Sequence, residues 1–211
     1  MGTRQSTQPA PYHHGDLRNA LIAAGLSILT EEGAAALSLR EVARRAGVSH
    51  AAPYRHFADK DALLAAIAEE VGSTLMPYLR AALALYPDDY GAQFLEMGWA
   101  YVRFGLENPD RLRVIFGSFV TTPNAPFRAA FELLVETIRR GQAAGVFVEA
   151  EPLGVALATW AMAHGLAVLM IENSIIPNEV LAAATKEQLA RACMHSLFSG
   201  VASRPAAPTR S

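Results

Sequence analysis

Cysteine is almost missing: Cys193 stands alone among 211 residues. One thiol excludes an internal disulfide and offers no ligand spacing for a metal centre, which fits a reducing compartment, and a cytoplasmic location is the expectation. Charge is sparse as well. Only 18% of residues are charged and the formal net charge is −2, so the whole-chain balance announces no polyanionic partner. The apolar stretches are broken by Gly, His, Glu or Pro before they reach bilayer length, and no membrane partner is expected. The chain also lacks a glycine-rich phosphate loop, a G-x-S-x-G elbow and a His-Glu-x-x-His helix. Catalytic residues, a bound metal and a cofactor are therefore not expected.

What is present is apolar and periodic. The 52% hydrophobic content can build a substantial core. Two ends, 1–12 and 203–211, are polar and contain prolines, and read as disordered tails. Between them Leu17, Leu21, Ala24 and Ile28 recur at helical spacing up to Gly33, and Ser38 with Glu41 three residues on reads as a capping box before a short helix ending at Gly47. Ser49 can cap a further helix from His50 to about His56, and Asp59 a fourth with Leu63, Leu64, Ile67 and Val71. Longer helical patterns follow. They are separated by turn signals, with Pro77 marking a kink or break, and the only β-like run, Val146-Phe147-Val148, is too short to found a sheet. The expected fold is all-α: an N-terminal three-helix helix-turn-helix domain over 13–72, joined to a larger C-terminal helical bundle over 73–202.

The charge average conceals a cluster. Between residues 38 and 60, Arg40, Arg44, Arg45, Arg55 and Lys60 oppose only Glu41 and Asp59. A helix-turn-helix lays its second helix in the DNA major groove, and a cationic segment with small residues suits that task. Ala51 and Ala52 permit close approach to bases; His50, Arg55 and His56 supply donors; Tyr54 and Lys60 suit phosphates. Pro53 breaks the pattern, because it lacks the N–H that would close the first intrahelical bond and so predicts a loose or kinked entry turn. An ordinary αα-corner with solvated charges is the competing reading of the same residues.

The run SLREVARRAGVSHAAPYRHFADKDALLAAIAEEV resembles the DNA-binding region of the TetR family of transcriptional regulators. The match carries a capped second helix, an Ala-Gly-Val-Ser turn, a Tyr-x-x-Phe ending, a Lys and an apolar fourth helix, and spans roughly 14–72. Pro53 departs from the Leu, Ile or Val usual before the Tyr. The resemblance implies DNA contacts from Ser38, Arg40, Arg44, Ser49, His50, Ala51, Ala52, Tyr54, Arg55, His56 and Lys60, with a double-stranded operator as partner. It also implies a C-terminal domain that binds an unidentified small-molecule effector.

The residues beyond 75 are compatible with that role. Aromatics gather over 91–139 and a Trp and a His-Gly pair follow, so Trp99, Arg103, Phe116, Phe119, Phe131, Trp160 and His164 are the candidate pocket residues. Trp160 and His164 share a helix face, and Gly165 could admit a neighbouring helix. The competing reading makes these aromatics an ordinary core. The last two helical patterns, about 152–173 and 178–200, carry more apolar surface than one pair needs, and a homodimer through them is expected. The function expected is a sequence-specific regulator, a repressor released from a pseudo-palindromic operator by a ligand. An effector-independent DNA-binding dimer and an all-α enzyme stay as alternatives.

Overall fold

The computed structural model describes residues 14–115, 125–172 and 184–201. It contains α1 (His14–Glu31), α2 (Leu39–Arg45), a 3₁₀ turn (Pro53–Arg55), α3 (Lys60–Leu85), α4 (Tyr90–Glu107), α5 (Pro109–Ile115), α6 (Ala125–Ala143), α7 (Pro152–Glu172) and α8 (Lys186–Val201). Two compact units divide at Ile67 and Ala68, inside α3, rather than at the expected 72.

In the first unit the local signals act as anticipated, with informative departures. Gly33 and Gly47 adopt φ of 81° and 69°, the left-handed conformation that ends α1 and α2 and that glycine takes at no steric cost. The Ser38 Oγ accepts from the Glu41 N–H at 3.2 Å. The Glu41 carboxylate turns to the Arg44 guanidinium instead of closing the capping box. Asp59 caps α3 through the Ala62 N–H at 2.8 Å. Arg45 ties α2 to α1: its guanidinium donates to Ser27 Oγ at 2.7 Å, to Glu31 at 2.5 Å and to Glu32. Leu21, Ile28, Leu39, Val42, Phe57 and Leu63 are buried in this unit.

Of the kink or break expected at Pro77, the break does not occur. Pro77 lies on an exposed face, so the Ser73 carbonyl that loses its donor is left toward solvent and the helix passes through.

The second unit is organised around α4, which packs against α5, α6, α7 and α8. Three glycines on α4, seven residues apart, mark close approaches. A Cβ at Gly91 would meet the Phe198 ring at 3.1 Å, one at Gly98 the Met194 Sδ at 2.8 Å, and one at Gly105 Leu112 at 3.0 Å and the Ala167 Cβ at 3.1 Å. Phe94, Phe147 and Phe198 form a three-ring cluster with centroids 5.4 to 6.1 Å apart. The short run around Phe147 founds no sheet; the Val148 N–H donates to the Val201 carbonyl at 2.8 Å while Phe147 is buried.

Thr185 and Gln188 cap the last helix reciprocally at 3.1 and 2.8 Å ahead of Lys186, and the expected start at 178 lies outside the described residues. By length and a mean hydropathy of 1.8, α7 would pass as a bilayer span, which the sequence reading did not anticipate. It packs against α4, α6 and α8.

Phe147 ring carbons lie 2.1 and 2.2 Å from where a Gly141 Cβ would stand. We expect Gly141→Ala to cost about 1–3 kcal/mol by overpacking. Gly98→Ala should cost less, because the obstructing Met194 is flexible. Denaturant unfolding of both variants measures the difference.

Candidate nucleic-acid interface and ligand cavity

The segment after Gly47 is a turn and not the expected α-helix over His50–His56. The Ala52 N–H bonds to the Ser49 carbonyl at 2.9 Å and the Arg55 N–H to Ala52 at 3.2 Å, and His56 and Phe57 both donate to the Pro53 carbonyl at 2.9 Å. Pro53 has no N–H for an i to i−4 bond, so the backbone tightens into a 3₁₀ turn. Its N-cap is Ala52, with no side-chain cap bond, and not the predicted Ser49.

That turn sorts its side chains. Pro53 and Phe57 are buried and anchor it. Ser49, His50, Ala51, Tyr54 and Arg55 are exposed, with Tyr54 at 56%, while Ala52 and His56 are half-buried. Arg18 lies over the Phe57 ring at 5.7 Å.

The cations divide into four kinds. Arg45 is committed to α1, with its charge further stabilised by the hydrogen bond to Glu31. Arg44 pairs with Glu41 and, through that hydrogen bond, holds the Glu41 carboxyl below the usual carboxylate range, yet its side chain is 67% exposed. Arg40 and Arg55 are exposed and have no ion pair among the described residues. Lys60 donates to the Ala34 carbonyl at 2.7 Å, leaving two of its three N–H groups. Ser38, whose hydroxyl caps α2, is exposed beside them.

In the second unit a cavity opens between α3, α4, α6 and α7, enclosing about 440 Å³ including its mouth. Its wall brings together Leu75 and Leu79 of α3, Met97, Gly98 and Tyr101 of α4, Phe127, Ala130, Phe131 and Leu134 of α6, and Thr159, Trp160 and Ala163 of α7. Of the pocket residues expected from the sequence, Phe131 and Trp160 line this cavity. Trp160 meets Phe127 and Phe131 edge-on, with centroids at 5.7 and 6.3 Å.

Other pocket candidates stand elsewhere. Trp99 is buried outside the cavity wall, with the Arg191 guanidinium 5.6 Å above its ring. Arg103 lies over Tyr78 at 5.3 Å and is no wall residue. Phe116 and Phe119 fall outside the described residues. His164 borders a second, open hollow with Leu112, Arg113, Val168, Ile171 and Glu172, and meets the wall of the main cavity at Tyr101, whose hydroxyl lies 3.0 Å from its Nδ1, and at Trp160. Among the described residues nothing approaches Gly165 closely: a Cβ there would meet nothing within 4 Å.

Tyr101 is the polar centre that the sequence reading left off its candidate residues. Burial pushes its hydroxyl pKa up, opposed by a hydrogen bond from Trp160, and burial pushes the His164 imidazole down, so both are neutral at pH 7. Trp160 also stacks on His164, with centroids 5.8 Å apart. The missed signal was periodic: 97, 98 and 101 share one face of α4, whereas 99 and 103 share another.

Comparison with known proteins converges on one family. Residues 21–67 match the model described as bacterial regulatory proteins of the tetR family, and residues 94–197 a tetracyclin repressor-like C-terminal domain. A protein of unknown function from Rhodococcus sp. RHA1 superposes with a TM-score of 0.76 at 34% identity, covering 92% of this chain and all of that one. A TetR family transcription regulator from Marinobacter aquaeolei VT8 shares the fold, with a TM-score of 0.71 at 18% identity over 89% of this chain and 96% of its own. An HTH-type transcriptional repressor of Mycobacterium tuberculosis is 32% identical over 83 residues, which is 38% of this chain and 44% of that protein, so the match spans less than half of the curated relative. The two matched regions together take in most of the chain, and the chain belongs to the TetR family.

Proposed function

We propose that the protein is a DNA-binding transcriptional regulator, a repressor working as a homodimer on a pseudo-palindromic operator in the cytoplasm and released by a small molecule. The observation that carries this reading is the turn after Gly47. It presents Tyr54 and Arg55 to solvent on a buried Pro53 and Phe57 anchor, beside the exposed Arg40 and Arg44. Such an arrangement offers phosphate-binding cations around a short base-reading edge. Pro53 fixes that edge as a 3₁₀ turn, so the bases are read by its exposed side chains and not along a helix face.

Dimerisation is supported by α7. Gly154, Leu157, Ala158, Ala161, Gly165 and Val168 recur at helical spacing and are exposed or half-buried. Small residues along an apolar stripe allow a second helix to approach closely, and this stripe accounts for a helix apolar enough to mimic a membrane span. Two copies joined there present two reading turns to two half-sites.

Ligand control is supported by α3. It runs unbroken from Lys60, beside the reading turn in sequence, to the cavity-lining Leu75 and Leu79. A ligand that prefers a displaced α3 weakens DNA binding by that preference and no more. Titrating cavity ligands against the DNA complex tests the coupling. If every bound ligand leaves DNA affinity unchanged, the cavity is no effector site.

Two variant sets test the remainder. Arg55→Ala should weaken operator binding by about 1–3 kcal/mol and relax sequence preference, whereas Arg40→Ala should weaken operator and random DNA alike and lower the salt slope by about one. Fluorescence anisotropy across a salt series reads both; unchanged discrimination in Arg55→Ala removes that residue from base reading. Ala161→Arg should convert the dimer to a folded monomer in analytical ultracentrifugation, and a persistent dimer would place the interface elsewhere.

A further inference from the structure

The cavity wall has a chemistry that restricts what can occupy it. Apart from Tyr101, none of its described residues is ionisable. The Thr159 hydroxyl is spent on the Val155 carbonyl at 2.7 Å. An ion entering such a wall loses its hydration and finds no counter-charge, so the charged form is rejected. The edges and faces of Phe127, Phe131 and Trp160 favour a flat apolar body. The space between these walls is narrow, so the body must be slim.

One polar valence is available. A phenolic hydroxyl offers one donor and two acceptor positions. Tyr101 uses one toward His164 Nδ1 at 3.0 Å, and at least one of the others remains for a ligand whichever way the His164 tautomer runs. Burial of an unmatched hydroxyl position costs free energy that a ligand O–H or C=O recovers.

We infer that the effector is a slim, uncharged, largely aromatic or alicyclic molecule with a single hydroxyl or carbonyl that bonds to Tyr101, and that carboxylates and ammonium compounds are excluded. This deepens the effector reading and rests on it. The class follows from the wall, not from any bound molecule.

Isothermal titration calorimetry of the full chain with 4-ethylphenol, ethylbenzene and 4-ethylbenzoate at pH 7 tests the class. The phenol should bind about 3- to 10-fold more tightly than ethylbenzene, and 4-ethylbenzoate at least about 10-fold more weakly than the phenol. In Tyr101→Phe the gap between phenol and ethylbenzene should close while ethylbenzene binding persists. Ala130→Met, which fills the wall, should weaken all three, with its thermal unfolding transition measured to show that it folds.

Benzoate binding equal to or tighter than phenol binding overturns the neutral class and leaves the effector reading standing. An unchanged phenol preference in Tyr101→Phe overturns the role of that hydroxyl, and no binding of any probe overturns the inference as a whole. If the phenol binds as expected while operator affinity stays constant in its presence, the effector reading fails and the ligand class stands.

Discussion

The second unit depends on how closely other helices can come to α4. Gly91, Gly98 and Gly105 recur at a spacing of seven, which keeps them on one slowly drifting stripe of the helix. Phe198 and Met194 of α8 sit on the first two, and Ala167 of α7 sits on the third. With larger residues there, α7 and α8 would be held off, and the cavity between α4, α6 and α7 would change width. Close packing of this kind sets the cavity by geometry, because side chains in a dense interior have few alternative positions.

Arg191 reinforces the same contact from outside. It bonds to Glu96 at 2.7 Å and to Glu187 at 2.8 Å while covering the Trp99 ring. Those hydrogen bonds hold its guanidinium firmly in the charged form. Trp99 thereby belongs to the α4–α8 contact, and the cavity is left with Trp160 as its single indole. The polar centre of the cavity is correspondingly simple: a tyrosine hydroxyl bonded to an imidazole on which an indole stacks.

Much of the first unit was legible from local chemistry. Ser38, Asp59, Gly33 and Gly47 act where their side chains or backbone freedom predict, since caps and left-handed turns are decided within a few residues. Pro53 was correctly flagged as disruptive, but the extent of the disruption, a 3₁₀ turn in place of a helix, depended on its burial with Phe57, which no local pattern reveals. The cavity was harder to read. Aromatic composition identified Phe131 and Trp160 yet also drew in Trp99 and Arg103, because which face of α4 looks inward is fixed by where α6, α7 and α8 pack. Tyr101, alone of its kind in the wall, carried no motif to mark it. Likewise α7 reads as a membrane span by composition, and its packing against α4, α6 and α8 buries one side while leaving the other open.

The passage of α3 through Pro77 has a mechanical consequence. Pro77 lies between Leu75 and Leu79, both in the cavity wall, and it deletes the hydrogen bond that the Ser73 carbonyl would otherwise accept. A helix missing one bond has lower bending stiffness at that turn than along the rest of its length. Any load on that turn is therefore taken up first as flexure about Ser73–Pro77.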